Sequence, residues 1–132
     1  MRYVRQADEL GCFRACAAMV LDMDYSDVAK EMPLQDKSCP NEIGTRGDEA
    51  VTNFYKLAAS RGLHVKDLGD LSKNRIYCEA GLRYVFFIAG LEINHAVAID
   101  ETGIVFDPYD PNSRKHWTDY QPKGALEIGP NP

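Results

Sequence analysis

The run from Cys12 to Leu21 reads Cys-Phe-Arg-Ala-Cys-Ala-Ala-Met-Val-Leu, with Arg14 its one charged residue. Apolar residues fall on nearly every side of a helical projection, whereas a surface helix shows a stripe on one side. Such a helix must be buried around most of its circumference, so the rest of the chain has to wrap it. Ala15, Ala17 and Ala18 let other elements approach closely. With 132 residues the chain can bury a real core, and one domain spanning 1–132 is expected. A cysteine in the first turn of a helix meets the positive end of the helix dipole, which favours its thiolate. Cys12 is therefore a candidate nucleophile. Gln6, a polar amide six residues earlier, is a candidate donor to an oxyanion.

Further along, the spacing of apolar residues first stays helical and then changes period. Ser26 is a good N-cap for a short helix over Asp27 to Met32, which Pro33 ends. Residues 33–47, broken by Pro40, Gly44 and Gly47, read as a loop. A third helix is expected from Asp48 to Arg61, with Gly62 at C′. Residues 2–5 suit a short edge strand or an extended lead-in. Leu63, Val65 and Leu68 suggest a strand, residues 70–82 an irregular connection, and Tyr84 to Leu91 a central strand. His95–Asp100 and Ile104–Asp107 read as strands joined by a tight turn at Glu101-Thr-Gly103, and Ala125–Ile128 as a last short strand. Trp117 and Tyr120 are expected to anchor the Pro/Asp-rich segment between. Helices first and strands later give an α+β domain.

A single cysteine is more often a small core residue than a nucleophile. The order of residues downstream changes that balance. In Asn94-His95-Ala-Val-Ala-Ile99 a histidine opens a strand, and Asp107 follows on the next strand across a tight turn. Two antiparallel strands joined in this way bring positions 95 and 107 together. His95 can then serve Cys12 as a base, with Asp107 orienting the imidazole. Cys16, one helical turn after Cys12, offers zinc ligation with Cys12 and His95 as a rival reading. The later cysteines lack paired spacing, so a core thiol behind the nucleophile is preferred. The Asp-rich stretch 107–112 lacks the alternation of a calcium loop and reads as solvated turns. No metal or cofactor is expected.

Gln6, five intervening residues and then Cys12 on a buried helix resemble the start of papain-superfamily cysteine peptidases, and Asn94-His95-Ala96-Val97 resembles their histidine motif. The later Asp107-Pro108 is similar to the compact bacterial peptidases that process bacteriocin leaders at double-glycine sites. The resemblance covers the first 30 residues and roughly 84–110. It implies a papain-like α+β fold, with an N-terminal buried helix carrying the cysteine, packed on a C-terminal antiparallel sheet carrying His and Asp. It also implies roles: Cys12 attacks an acyl carbon, His95 moves the proton, Asp107 fixes the tautomer, and Gln6 with the Cys12 backbone N–H holds the oxyanion. That group usually carries Gly after the cysteine, where this chain has Phe13. The implied activity is hydrolysis of a peptide or isopeptide bond through a thioester. Acyl transfer with the same residues, or a catalytically silent binding module, are the alternatives.

The net charge of −5 argues against a nucleic-acid partner, because phosphate contacts need clustered Lys and Arg. The longest apolar run, Tyr84 to Leu91, is too short to span a bilayer, so no membrane insertion is expected. The expected partner is a peptide or protein substrate, held by the 33–47, 70–82 and 108–120 segments. No signal segment precedes the first helix, so the four cysteines (12, 16, 39, 78) are expected as free thiols and the location as cytoplasmic, with delivery into a host cell as an effector the alternative.

Overall fold

The computed structural model describes residues 1–5, 12–32, 46–88, 95–112 and 114–131, with only the backbone of 46–50 included. Helix α1 spans Cys12–Leu21, and every residue but Arg14 is buried. Arg14 escapes because it serves the next helix, α2 (Tyr25–Glu31). Its guanidinium donates to the carbonyls of Met32 (2.6 Å) and Ala29 (3.0 Å), placing a cation at the C-terminal end of α2. The cap of α2 is Asp24 rather than Ser26, and no side-chain capping bond forms. Helix α3 runs Arg46–Ser60, and Gly62, at φ +73°, turns the chain into the first strand.

The strands are β1 (Leu63–Asp67), β2 (Arg83–Ile88), β3 (His95–Ile99), β4 (Val105–Phe106) and β5 (Gly124–Pro130). They form a five-stranded sheet in the order β1-β5-β2-β3-β4, antiparallel throughout. Residues 1–5 form an extended lead-in without strand pairing. Alternation along the strands divides the interior in two. Val85, Ala96, Ala98, Leu126 and Ile128 pack with α1, Val28, Phe54 and Leu57 on one face. Tyr84, Phe86, Val97, Ile99, Val105 and Ala125 pack with Leu71 and Cys78 on the other, under Trp117 and Tyr120. In the second core the Tyr84 hydroxyl is a satisfied polar group. It donates to Glu127 Oε2 and accepts from the Glu79 N–H, both at 2.9 Å. Phe13 fills the helix–sheet interface against Phe54 and Phe87, with ring centroids 5.4 and 5.3 Å away. A bulky residue directly after Cys12 is thus core packing.

Helix α1 closes with a Schellman arrangement: Met23 N–H to the Ala18 carbonyl (2.9 Å) and Asp22 N–H to that of Met19 (3.4 Å). Asp22 stands at φ +54°, a left-handed conformation that Asp tolerates better than most residues. Arg83, at the start of β2, holds this end in place. Its guanidinium donates to the Val20 carbonyl (3.1 Å), to Asp22 Oδ2 (2.9 Å) and to Glu101 Oε2 (2.7 Å). Removing these charge-assisted bonds by Arg83→Met should lower stability by about 2–3 kcal/mol. The measurement is the urea midpoint, which should fall at an unchanged slope; an unshifted midpoint would mean that the clamp contributes nothing.

Candidate active site

The two ends of α1 are fixed by different partners. Its C-terminal turn meets Arg83, and the adjacent Tyr84 pairs with Ile99, the last residue of β3. Helix α1 packs on β3. From first to last residue, a ten-residue helix and a five-residue strand each advance about 13 Å. The Cys12 end of α1 therefore lies at the His95 end of β3. The small side chains of Ala96 and Ala98, both in the α1 core, permit the close approach.

His95 is the first residue of β3, and Asp107 the first beyond β4, so both stand at the same end of the sheet. The register pairs Ala98 with Phe106. Extended by one residue, it sets Asp107 opposite Val97, diagonal to His95 on the same face, a distance that longer side chains span. The imidazole Nε2 lies 2.7 Å from Asp107 Oδ1. The His95 side chain keeps 30% of its exposure and that of Asp107 20%. With Nε2–H given to the carboxylate, Nδ1 is left as the basic nitrogen.

Asp107 opens a turn that holds it from several sides. Its Oδ1 accepts from the Tyr109 N–H (2.9 Å), and its carbonyl accepts from the Asp110 N–H (3.1 Å) and from the Tyr3 hydroxyl (2.8 Å). Burial alone would raise its pKa. The bonds from His95 and from backbone N–H groups outweigh burial and hold the carboxyl below the usual carboxylate range. A depressed folded value means that Asp107 adds stability above its unfolded value, about 3.9. That contribution is lost only as pH falls through the lower folded value, so the carboxylate remains charged at neutral pH.

Cys12 is buried, and its sulfur is held in a disulfide. The expectation of free thiols is met at Cys16 and Cys78 and corrected at Cys12. The fourth cysteine, Cys39, lies outside the described residues, as do Gln6 and Asn94. Burial, followed by the charge of Asp107, pushes the Cys16 thiol well above its ordinary value. That influence also places Asp107 within electrostatic reach of this face of α1. Burial pushes Cys78 up to about 12. Both free thiols are thus poor nucleophiles at neutral pH.

The structure joins His95 to Asp107 directly and sets the Cys12 turn of α1 at their end of the sheet. It adds Tyr3, which the sequence did not single out. Of the segments expected to hold a substrate, 33–45 lies outside the described residues. The 70–82 segment contributes Leu71, Ile76, Cys78 and Leu82 to the second core. Tyr109, 68% exposed, stands two residues beyond Asp107. A cavity of about 430 Å³ lined by Arg2, Met19, Asp22, Asp24, Asp27 and Arg61 opens at the opposite end of α1, away from His95. Among the described residues no helix is long and apolar enough to cross a membrane.

A buried N-terminal helix opening on a cysteine, packed on an antiparallel sheet whose edge pairs a histidine with an aspartate, defines a papain-like α+β fold. Solved structures of similar fold include a transporter protease and transporter peptidase domains. A double glycine motif protease from an AMS/PCAT transporter, solved with its leader peptide, superposes with a TM-score of 0.67 at 15% identity, covering 98% of this chain and 91% of that one. The peptidase domain of Streptococcus ComA, a bifunctional ABC transporter of a quorum-sensing pathway, gives 0.58 at 18% identity, covering 98% of this chain and all of that one. The corresponding Streptococcus mutans domain gives 0.54 at 16% identity, with both chains fully covered. No protein-family model matches the sequence, and no curated protein is similar to it. The structural neighbours extend the fold over practically the whole chain.

Proposed function

We propose that this protein is a cysteine-nucleophile hydrolase that cleaves a peptide or isopeptide bond through a thioester. The observation that carries this reading is the His95–Asp107 hydrogen bond of 2.7 Å at the end of the sheet where α1 begins with Cys12. Once the Cys12 disulfide is reduced, the thiol gives its proton to His95 Nδ1 and the sulfur attacks the acyl carbon. The Gln6 amide and the Cys12 backbone N–H receive the oxyanion; such a donor is typically worth about 2.7–4 kcal/mol of barrier. His95 then protonates the leaving amine. Water, deprotonated by the same imidazole, hydrolyses the thioester and restores the thiol. Asp107 accepts Nε2–H throughout and steadies the imidazolium. The structural neighbour solved with a leader peptide supports a peptide substrate.

Because the nucleophile is oxidised in this structure, activity should depend on reductant. Hydrolysis of a fluorogenic peptide library should appear only after treatment with a thiol or phosphine. Acid quenching should reveal an acyl group on Cys12 by mass spectrometry. An added primary amine would divert that acyl group if the protein is an acyltransferase. A fully reduced, folded protein with neither turnover nor acyl adduct would contradict the proposal and leave a silent binding module.

A further inference from the structure

Tyr3 of the extended N-terminal lead-in reaches Asp107, and a loop arginine, Arg114, packs on both Tyr3 and Phe106; neither has a part in the chemistry just described. The Tyr3 hydroxyl donates to the Asp107 carbonyl at 2.8 Å, across 104 residues of sequence. The Arg114 guanidinium lies 5.3 Å from the Tyr3 ring centroid and 4.5 Å from that of Phe106, the residue before Asp107. Tyr3, like its neighbour Val4, packs against the α1 core. This support stands where the sheet supplies little of its own. Strand β4 has two residues, and Asp107 lies just beyond it. Burial, and next the Asp107 charge, raise the Tyr3 phenol, so it remains a donor at neutral pH.

We infer that Tyr3 is a positioning residue, which acts through the backbone of Asp107 to hold the carboxylate on His95 Nε2, with Arg114 clamping Tyr3 to Phe106. The inference rests on the hydrolase reading for its consequence in catalysis, but its geometry stands independently.

The test is the His95 ring N–H proton in ¹⁵N-edited NMR, read on reduced wild-type protein, Tyr3→Phe, Arg114→Met, Asp107→Asn and the Tyr3→Phe/Asp107→Asn double variant. A neutral hydrogen bond of this kind is worth about two- to tenfold in the population it favours. Tyr3→Phe should thus speed exchange of the His95 Nε2–H with water by about that factor and move its resonance toward the Asp107→Asn position. Arg114→Met should do the same to a smaller degree, and it carries the test should Tyr3→Phe fail to fold. In the double variant Tyr3→Phe should add nothing. Unchanged exchange in folded Tyr3→Phe or Arg114→Met, or an equal added effect in the double variant, would overturn the inference. Turnover of Tyr3→Phe should fall about two- to tenfold in kcat with KM unmoved. Absence of turnover in the wild type would count against the hydrolase reading alone, since the NMR result does not depend on it.

Discussion

Cys12→Ala should abolish peptide hydrolysis, lowering kcat on the order of 10⁴- to 10⁶-fold, as loss of a covalent nucleophile does when its partners act as a unit. The two other described thiols cannot substitute. Cys16 and Cys78 are buried, and burial holds both largely protonated. The comparison belongs in reductant, where the Cys12 disulfide is open in the wild type and stability differences reflect only a sulfur exchanged for a methyl hydrogen. Under those conditions the variant should unfold within about 1–2 kcal/mol of the wild type, because alanine leaves only a small cavity. Measured by steady-state hydrolysis beside urea unfolding, retained turnover in a folded variant would remove Cys12 from the mechanism.

His95→Ala should be nearly as severe, on the order of 10⁴-fold in kcat. The physical reason is the division of labour on one ring. Nε2 is committed to Asp107 at 2.7 Å, so Nδ1 alone can take the thiol proton and later protonate the leaving amine. Alanine removes both steps and also leaves Asp107, a half-buried carboxylate, without the Nε2–H donor of its imidazole partner. The charge then leans on the Tyr109 N–H, which the turn supplies regardless of residue 95. The variant should accordingly remain folded. Turnover by His95→Ala within tenfold of the wild type would show that another group is the base.

Much of this arrangement was legible in the sequence for definite reasons. Helix α1 was legible because its residues are apolar all round, which permits only a buried helix. The His95–Asp107 pair was legible because a tight turn at 101–103 sets the register, and register decides which side chains meet. Local chemistry failed where contacts are distant or nearly degenerate. Asp24 and Ser26 are both good N-cap residues, and no side-chain bond forms to choose between them. The last strand spans Gly124–Pro130 and lies between β1 and β2, a non-local position that a segment with two glycines and a proline does not advertise. Tyr3 meets Asp107 across 104 residues, and the partners of Arg14, at the end of α2, lie 15 and 18 residues away. The oxidised state of Cys12 had no signature in cysteines of irregular spacing.

The central claim is that Cys12 and His95 act as one nucleophilic pair. It is tested most directly by the rate at which iodoacetamide alkylates Cys12 in reduced protein near neutral pH, followed by mass spectrometry in the wild type and in His95→Ala. An imidazole at Nδ1 stabilises the thiolate, so Cys12 should be alkylated at least about tenfold faster in the wild type than in the variant, and faster than Cys16 or Cys78 in either. Equal alkylation of Cys12 with and without His95 would contradict the account.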